Sequence, residues 1–112
     1  MKVAKTGALK GFALGPMTLR PFAGEGLMAV RVEAPKGSHA PAHSHPHEQM
    51  TLVVSGRLRF RVGAEWREVG PMEIVHIPSG VEHEAEVLED SLFFDLFHPV
   101  REDFLRRVEE GT

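Results

Sequence analysis

The sequence predicts an all-β fold, a sandwich or barrel of short strands that ends in a short C-terminal helix. Eleven glycines and eight prolines divide the 112 residues into short segments. Several of these segments alternate apolar and polar side chains, which is typical of strands buried on one face. The length fits one domain over residues 1–112 with a single core.

Seven strands are predicted, separated by turn signals rich in glycine, proline and small polar residues. They cover residues 27–33, 49–54, 57–62, 66–69, 73–77, 83–88 and 92–97. The alternation is clearest in 57–62, where three apolar residues alternate with Arg57, Arg59 and Arg61. We expect these arginines on the solvent face, paired with acids across the strand such as Glu65 or Glu68. A binding surface for an acidic ligand is the alternative.

The last segment, residues 101–110, is the only one that is predicted to be helical. Phe104, Leu105 and Val108 would share one face of that helix, and Gly111 is a suitable stop.

Composition limits the classes of partner. The net charge of -3 and the pI near 6.1 give no reason to expect nucleic acid or an anionic membrane surface. No apolar run is long enough to span a bilayer. The absence of cysteine excludes disulfides and thiolate chemistry and is compatible with a cytoplasmic location. The absence of asparagine and the excess of glutamate suggest a thermophilic source.

The densest chemistry lies at residues 43–49, His-Ser-His-Pro-His-Glu-Gln. In an extended strand, His43, His45 and Gln49 project to the same side and offer nitrogen and oxygen ligands to a divalent metal. His47 shares that side, although Pro46 favours a bend beside it. Glu48 has the opposite orientation. The alternative is a loop of solvated polar groups.

A second candidate residue is Asp95, which lies between Phe94 and Leu96 in a strongly apolar strand. An acid in this position requires either an ion pair with a residue such as Arg101 or a role in a site. The neighbouring phenylalanines, including Phe97, are expected to fill the core.

These residues resemble the two motifs of the cupins, which are small jelly-roll β-barrels that hold a metal. The first motif matches Gly37, His43, His45, Gln49 and Gly56, and the second matches Pro78, Gly80 and His83. The resemblance implies a jelly-roll barrel or sandwich in which His43, His45, Gln49 and His83 hold the metal.

The chain departs from the cupin pattern at three positions. Gln49 replaces a glutamate ligand, Met72 replaces the glycine that opens the second motif, and Val87 replaces the asparagine that ends it. A neutral amide leaves a bound cation less neutralised, and therefore a stronger Lewis acid, but it also weakens metal affinity.

Residues 95–104 are similar to the C-terminal signature of single-domain cupins related to the pectin-degradation protein that linearises unsaturated uronates. This resemblance implies that Asp95 is a general acid/base, that Arg101 clamps a carboxylate, and that Phe97 helps to bind the substrate. It also implies a homodimer.

Three functions follow as hypotheses. The first is metal-dependent isomerisation or tautomerisation of a small, oxygen-rich metabolite such as a sugar acid, which would place the chain in carbohydrate metabolism. The second is an Fe(II)-dependent dioxygenase, since the sequence does not choose among Zn, Ni, Mn and Fe. The third is a non-catalytic cupin that binds a metal or a small ligand.

Overall fold

The computed structural model describes residues 1–111, which form ten strands and one α-helix, together with a single 3₁₀ turn at Thr6–Ala8. The strands are β1 (Phe12–Leu14), β2 (Met17–Ala23), β3 (Met28–Ala34), β4 (His39–His43), β5 (Glu48–Ser55), β6 (Leu58–Val62), β7 (Glu65–Val69), β8 (Ile74–Ile77), β9 (His83–Val87) and β10 (Ser91–His98). The helix α1 is Glu102–Glu109.

Two antiparallel sheets face each other. One has six strands in the order β1-β2-β3-β10-β5-β8, and the other has four in the order β4-β9-β6-β7. Alternate residues of β3 and β9 are buried, as the period of two requires when one face of each sheet packs on the core. The residues with least exposure include Val30, Val53, Leu58 and Ile77. The architecture confirms the all-β prediction.

All seven predicted strands are present with small shifts at their ends, but three further strands were missed. Pro21 lies in the part of β2 that extends past the end of β1. There β2 pairs with β3 on one edge and, within residues 1–111, with no strand on the other. Pro41 lies within β4, at the outer edge of the four-stranded sheet and beside a register shift. Both prolines therefore occupy edge positions, where a missing N–H disrupts no ladder.

The arginine stripe lies on the outer face of the four-stranded sheet, but the expected partners were wrong. Arg61 pairs with Glu84 at 2.7 Å and with Glu82 at 2.9 Å, and Arg59 lies 3.5 Å from Glu86. These acids belong to β9 and the turn before it, because β6 is flanked by β9 as well as by β7. No acidic ligand is needed to explain the stripe.

The predicted helix is present and one residue shorter at each end than expected. Its face bearing Phe104, Leu105 and Val108 packs against the core. The ring of Phe104 lies 5.2 Å from that of Phe12, so α1 closes the barrel next to β1. No helix in residues 1–111 has the length and hydropathy needed to cross a bilayer.

Candidate metal centre

The histidine-rich segment is not one continuous strand, contrary to the expectation from its sequence. His43 ends β4 in the four-stranded sheet, the chain bends at residues 46 and 47, and Gln49 lies in β5 of the six-stranded sheet. The bend contains Pro46, and the carbonyl of His45 accepts a hydrogen bond from the Gly80 amide at 2.9 Å. The segment therefore bridges the two sheets, and its ligands converge through this crossing.

Three histidines meet at this crossing. His43 is the register partner of His83, the first residue of β9, because the register of β4 shifts between residues 40 and 43. One ring nitrogen of each of His43, His45 and His83 lies within 4.8 Å of the others. His83 is buried, His45 is half-buried and His43 is exposed, so the cluster opens towards solvent on one side. This convergence agrees with the expected metal group.

Each of the three rings is held by a backbone carbonyl. The Nδ1 atom of His43 lies 2.7 Å from the Pro41 oxygen, and that of His83 lies 2.9 Å from the Val81 oxygen. The Nδ1 atom of His45 is bonded in the same way to the carbonyl of residue 47. A ring that donates from Nδ1 presents the lone pair of Nε2, which is the arrangement found in metal-binding histidines.

Burial keeps two of these rings neutral. It lowers the pKa of His83 to about 4, with a further contribution from the charges of His43, His45 and Arg101. Burial and the charge of Arg101 also lower the pKa of His45. A neutral imidazole is the form that binds a cation.

Gln49 lies beside the three histidines. Its side chain is 5% exposed, and its Oε1 lies 3.0 Å from Nε2 of His45. Because Nδ1 of His45 donates to a carbonyl, Nε2 of that ring carries a lone pair. Nε2 of His45 and Oε1 of Gln49 are therefore two acceptors that face each other. Nε2 of His83 is buried without a hydrogen-bond partner among the described residues. A divalent cation would bind these two acceptors and the unpaired Nε2 of His83. The residues therefore fit such an ion.

The rival residues lie elsewhere. Glu48 points away and contacts His76 at 2.7 Å, as its strand parity predicted. His39 is exposed and bonds Glu84 at 3.2 Å. His47 packs its ring 6.3 Å from that of Phe97 at the edge of the cluster. None of the three belongs to the group of converging nitrogens.

A cavity that opens to solvent adjoins the histidines. One part of its wall is polar and carries the candidate site residues His43, Gln49, His83, Asp95 and Arg101. Apart from Glu84, the remaining wall is apolar, and residues of β2, β6, β10 and α1 contribute to it. A small ligand in this cavity would contact the cation ligands on one side and hydrocarbon on the other.

Asp95 faces this cavity. Its Oδ1 accepts a hydrogen bond of 2.7 Å from the hydroxyl of Thr51, its direct register partner on β5. Burial raises the pKa of Asp95 to about 6, although hydrogen bonds from Thr51 and Gln49 and the charge of Arg101 oppose the rise. Asp95 makes no ion pair with Arg101, so that explanation of an acid in this strand was wrong.

Arg101 is held at the cavity wall by other contacts. Its Nε and Nη2 donate to the two carboxylate oxygens of Asp103 at 3.0 and 2.8 Å. Its guanidinium lies 4.0 Å from the ring centre of Phe104 and 5.1 Å from that of Phe97. Nη1 has no hydrogen-bond partner among the described residues, which leaves donors for an anionic group.

Sequence reasoning missed two residues here. Thr51 links Gln49 to Asp95, and its position two residues after Gln49 on the same strand was the available signal. Asp103 fixes Arg101, and its nearness in sequence was the signal in that case.

Comparisons with known proteins agree with this fold and site. The Cupin domain family model matches residues 30–93. The chain is similar to an RmlC-like cupin from Shewanella frigidimarina, with a TM-score of 0.85, 25% identity and coverage of 90% of this chain and 93% of the other. It is also similar to KdgF from Halomonas sp., with a TM-score of 0.79, 33% identity and coverage of 83% and 90%.

A curated relative is the dimethylsulfoniopropionate lyase DddQ of Ruegeria pomeroyi, 38% identical over 64 residues. That stretch is 56% of this chain and 32% of DddQ, so the chain spans about a third of that relative's length. The family match covers more than half of the chain. This protein is therefore a member of the cupin domain family.

Proposed function

We propose that the protein is a metal-dependent cupin that isomerises a small sugar acid, in the manner of the cupins that linearise unsaturated uronates. One observation carries the proposal. Three histidine nitrogens and the Gln49 oxygen converge at one wall of a cavity that also presents Asp95 and Arg101. The similarity of residues 95–104 to those cupins supports the same assignment.

In this proposal, His43, His45, Gln49 and His83 hold a divalent cation, which is Zn, Ni, Mn or Fe. A bound cation supplies Lewis acidity towards a hydroxyl or carbonyl oxygen. The chain's own contribution is to keep these ligands neutral and fixed by the backbone carbonyls that hold each imidazole.

Arg101 favours an anionic substrate. Its guanidinium already covers the aromatic faces of Phe97 and Phe104, so those rings are not available to attract a cationic group. The donors on Nη1 would instead bind a carboxylate. Dimethylsulfoniopropionate combines a carboxylate with a cationic sulfonium, and the second group would lie poorly beside Arg101. A uronate carries only the carboxylate.

Asp95 is placed to move the proton that the reaction requires. Linearising an unsaturated uronate breaks the ring C–O bond, takes a proton from the anomeric hydroxyl and adds a proton to one carbon of the double bond. No electron is gained or lost overall, so one acid/base group is enough. A carboxyl whose pKa is raised by burial can both accept and return that proton near neutral pH.

The test is to reconstitute the purified protein with Zn²⁺, Ni²⁺, Mn²⁺ or Fe²⁺ separately. Metal content, affinity by calorimetry and conversion of an unsaturated uronate by proton NMR would be measured for each. We expect one ion per chain and turnover with at least one metal. At about 100 times its dissociation constant, the ion should stabilise the fold by about 2.7 kcal/mol.

The matched variants are His43→Ala and His39→Ala, two exposed histidines of the same strand. Only His43→Ala should lose metal and turnover, because His39 lies outside the converging group. Failure of the wild-type protein to bind any of the four ions would refute the proposal. Oxygen consumption with Fe²⁺ alone would replace it with a dioxygenase, and metal binding without turnover of any substrate would replace it with a binding protein.

We also propose that the active form is a homodimer in which the outer face of the six-stranded sheet is covered by a second copy. Ile74, Met50 and Leu96 on neighbouring strands are 56%, 41% and 37% exposed. Leu52 and Phe94 continue this patch between them. A two-fold contact would bury the same apolar strip on both copies.

A further inference from the structure

A glutamine ligand at position 49 has to be held in one orientation, whereas a glutamate ligand does not. A carboxylate presents equivalent oxygens, whereas a carboxamide presents an oxygen at one end and an NH₂ group at the other. Only the oxygen can bind a cation. The orientation of the amide therefore has to be fixed by the groups around it.

The structure contains a directional chain of hydrogen bonds that does this. Nε2 of Gln49 donates to the hydroxyl of Thr51 at 3.0 Å, and that hydroxyl donates to Oδ1 of Asp95 at 2.7 Å. Thr51 and Gln49 share the inner face of β5, and Asp95 lies directly opposite Thr51 on β10. The strand register therefore builds the chain of bonds.

The chemistry of each member sets the direction. A carboxylate only accepts, so the single hydroxyl hydrogen of Thr51 is committed to Asp95. The hydroxyl oxygen is then left as an acceptor, and it requires the NH₂ end of Gln49. Thr51 is 0% exposed, so its hydroxyl has no contact with bulk solvent.

We propose that Thr51 is a positioning residue that turns the Gln49 carboxamide so that its oxygen faces His43, His45 and His83. This inference rests on the metal site of the proposed function. Without the hydroxyl, the amide loses an acceptor for its NH₂ group, and the orientation with nitrogen towards the histidines becomes competitive. The contact between Gln49 and Asp95 remains, so the preference for the oxygen-inward orientation is weakened and not abolished.

The first test measures Zn²⁺ affinity at about pH 8, where Asp95 is ionised. Thr51→Val removes the hydroxyl at nearly constant shape and should weaken binding by about 10-fold, within the range found for groups that orient metal ligands. Thr51→Ser keeps the hydroxyl and should restore most of the affinity. Thr18→Val, on β2 of the same sheet, is the matched control and should leave affinity unchanged.

A double-mutant cycle separates orientation from general damage to the fold. In the Gln49→Glu background both ends of the side chain are oxygen, so adding Thr51→Val should change Zn²⁺ affinity by less than about 3-fold. An equal loss in both backgrounds would show that Thr51 acts only through packing, and would overturn the inference.

The second test observes the amide itself. Gln49 is the only carboxamide in a sequence without asparagine, so its two N–H resonances in a ¹H–¹⁵N spectrum need no assignment. In the metal-free wild type they should be distinct and slow to exchange with solvent. Thr51→Val should broaden them or speed their exchange, and Thr51→Ser should not.

The outcomes distinguish this inference from the proposed function. Absence of Zn²⁺ binding in the wild type refutes the metal site, while the amide resonances still report on the orientation by Thr51. Normal Zn²⁺ binding together with unchanged affinity and unchanged amide resonances in Thr51→Val refutes the positioning role alone.

Discussion

At the scale of single residues, the candidate ligands carry no formal negative charge, because three are imidazoles and the fourth is the Gln49 amide. Asp95 lies beside them, bonded to Thr51 and in contact with Gln49. The site thus separates two roles that carboxylates often combine, since the group that would bind the cation is neutral and the group that would move a proton is ionisable. The cupin motifs suggested the first role and the similarity of residues 95–104 suggested the second, whereas the link through Thr51 became visible only through the strand register.

Met72 is the residue with the clearest local strain. Its φ of 66° places it in the left-handed region, and it occupies the position where the cupin motif has glycine. Met72→Gly should raise the free energy of unfolding by about 0.5 to 1 kcal/mol, because glycine lacks the Cβ that penalises this conformation. Little packing is lost, since the side chain is 72% exposed. Urea denaturation measures the gain, and Met72→Ala, which keeps the Cβ, should not show it.

Asp95 should lower the stability of the metal-free protein at neutral pH. Its pKa is raised from 3.8 to about 6, so the folded state binds more protons than the unfolded state between these values, and stability falls as pH rises through that window. Asp95→Asn should therefore be more stable by about 1 kcal/mol at pH near 8 and equal near pH 4. Denaturation at both pH values measures this.

Asp103 is the control, because its replacement should change the stability in the opposite direction. The pKa of Asp103 is lowered by its hydrogen bonds to Arg101, so its charge stabilises the fold above its ordinary range. Asp103→Asn should lose stability at about pH 8, by less than about 1 kcal/mol because the carboxylate is half exposed. A loss of stability in Asp95→Asn as well would contradict our account of that residue.

At the scale of elements, regular alternation predicted the strands in the second half of the chain, but the first half was harder to read. Strands β2 and β4 contain proline, and β1 has only three residues, so local sequence argued against all three, although β2 buries alternate residues. His43 and His45 of this segment do meet, together with His83, but not for the reason that strand parity suggested. They converge because the segment crosses between sheets, which strand parity cannot predict.

The ring of Phe104 is one of the contacts that join helix α1 to the barrel. Phe104 lies 5.2 Å from Phe12 and 5.8 Å from Phe97, and it supports the guanidinium of Arg101. Phe104→Ala should destabilise the protein by about 2 kcal/mol, less than a fully buried ring would, because part of it is exposed. Thermal or urea denaturation measures this. Arg106→Ala, on the exposed face of the helix, should change stability by less than about 0.5 kcal/mol.

At the scale of the whole molecule, the proposed dimer makes a specific prediction. Leu96→Glu places a charge in the apolar strip of the six-stranded sheet and should convert the dimer to a monomer, as measured by light scattering after gel filtration. Trp66→Glu, on the opposite sheet and similarly exposed, should leave the assembly unchanged. A wild-type protein that is monomeric at all concentrations would contradict the proposed dimer.

The burial of the one carboxamide also affects how readily this protein undergoes deamidation. Hydrolysis of a side-chain amide to a carboxylate is a common form of damage at high temperature, and a sequence without asparagine offers a single substrate for it, Gln49. That residue is 5% exposed and its NH₂ group is bonded to Thr51, so little of the amide is open to water. If it did react, the product would be glutamate, the residue of the cupin motif. Deamidation would thus convert a neutral ligand set into an anionic one and leave the backbone intact.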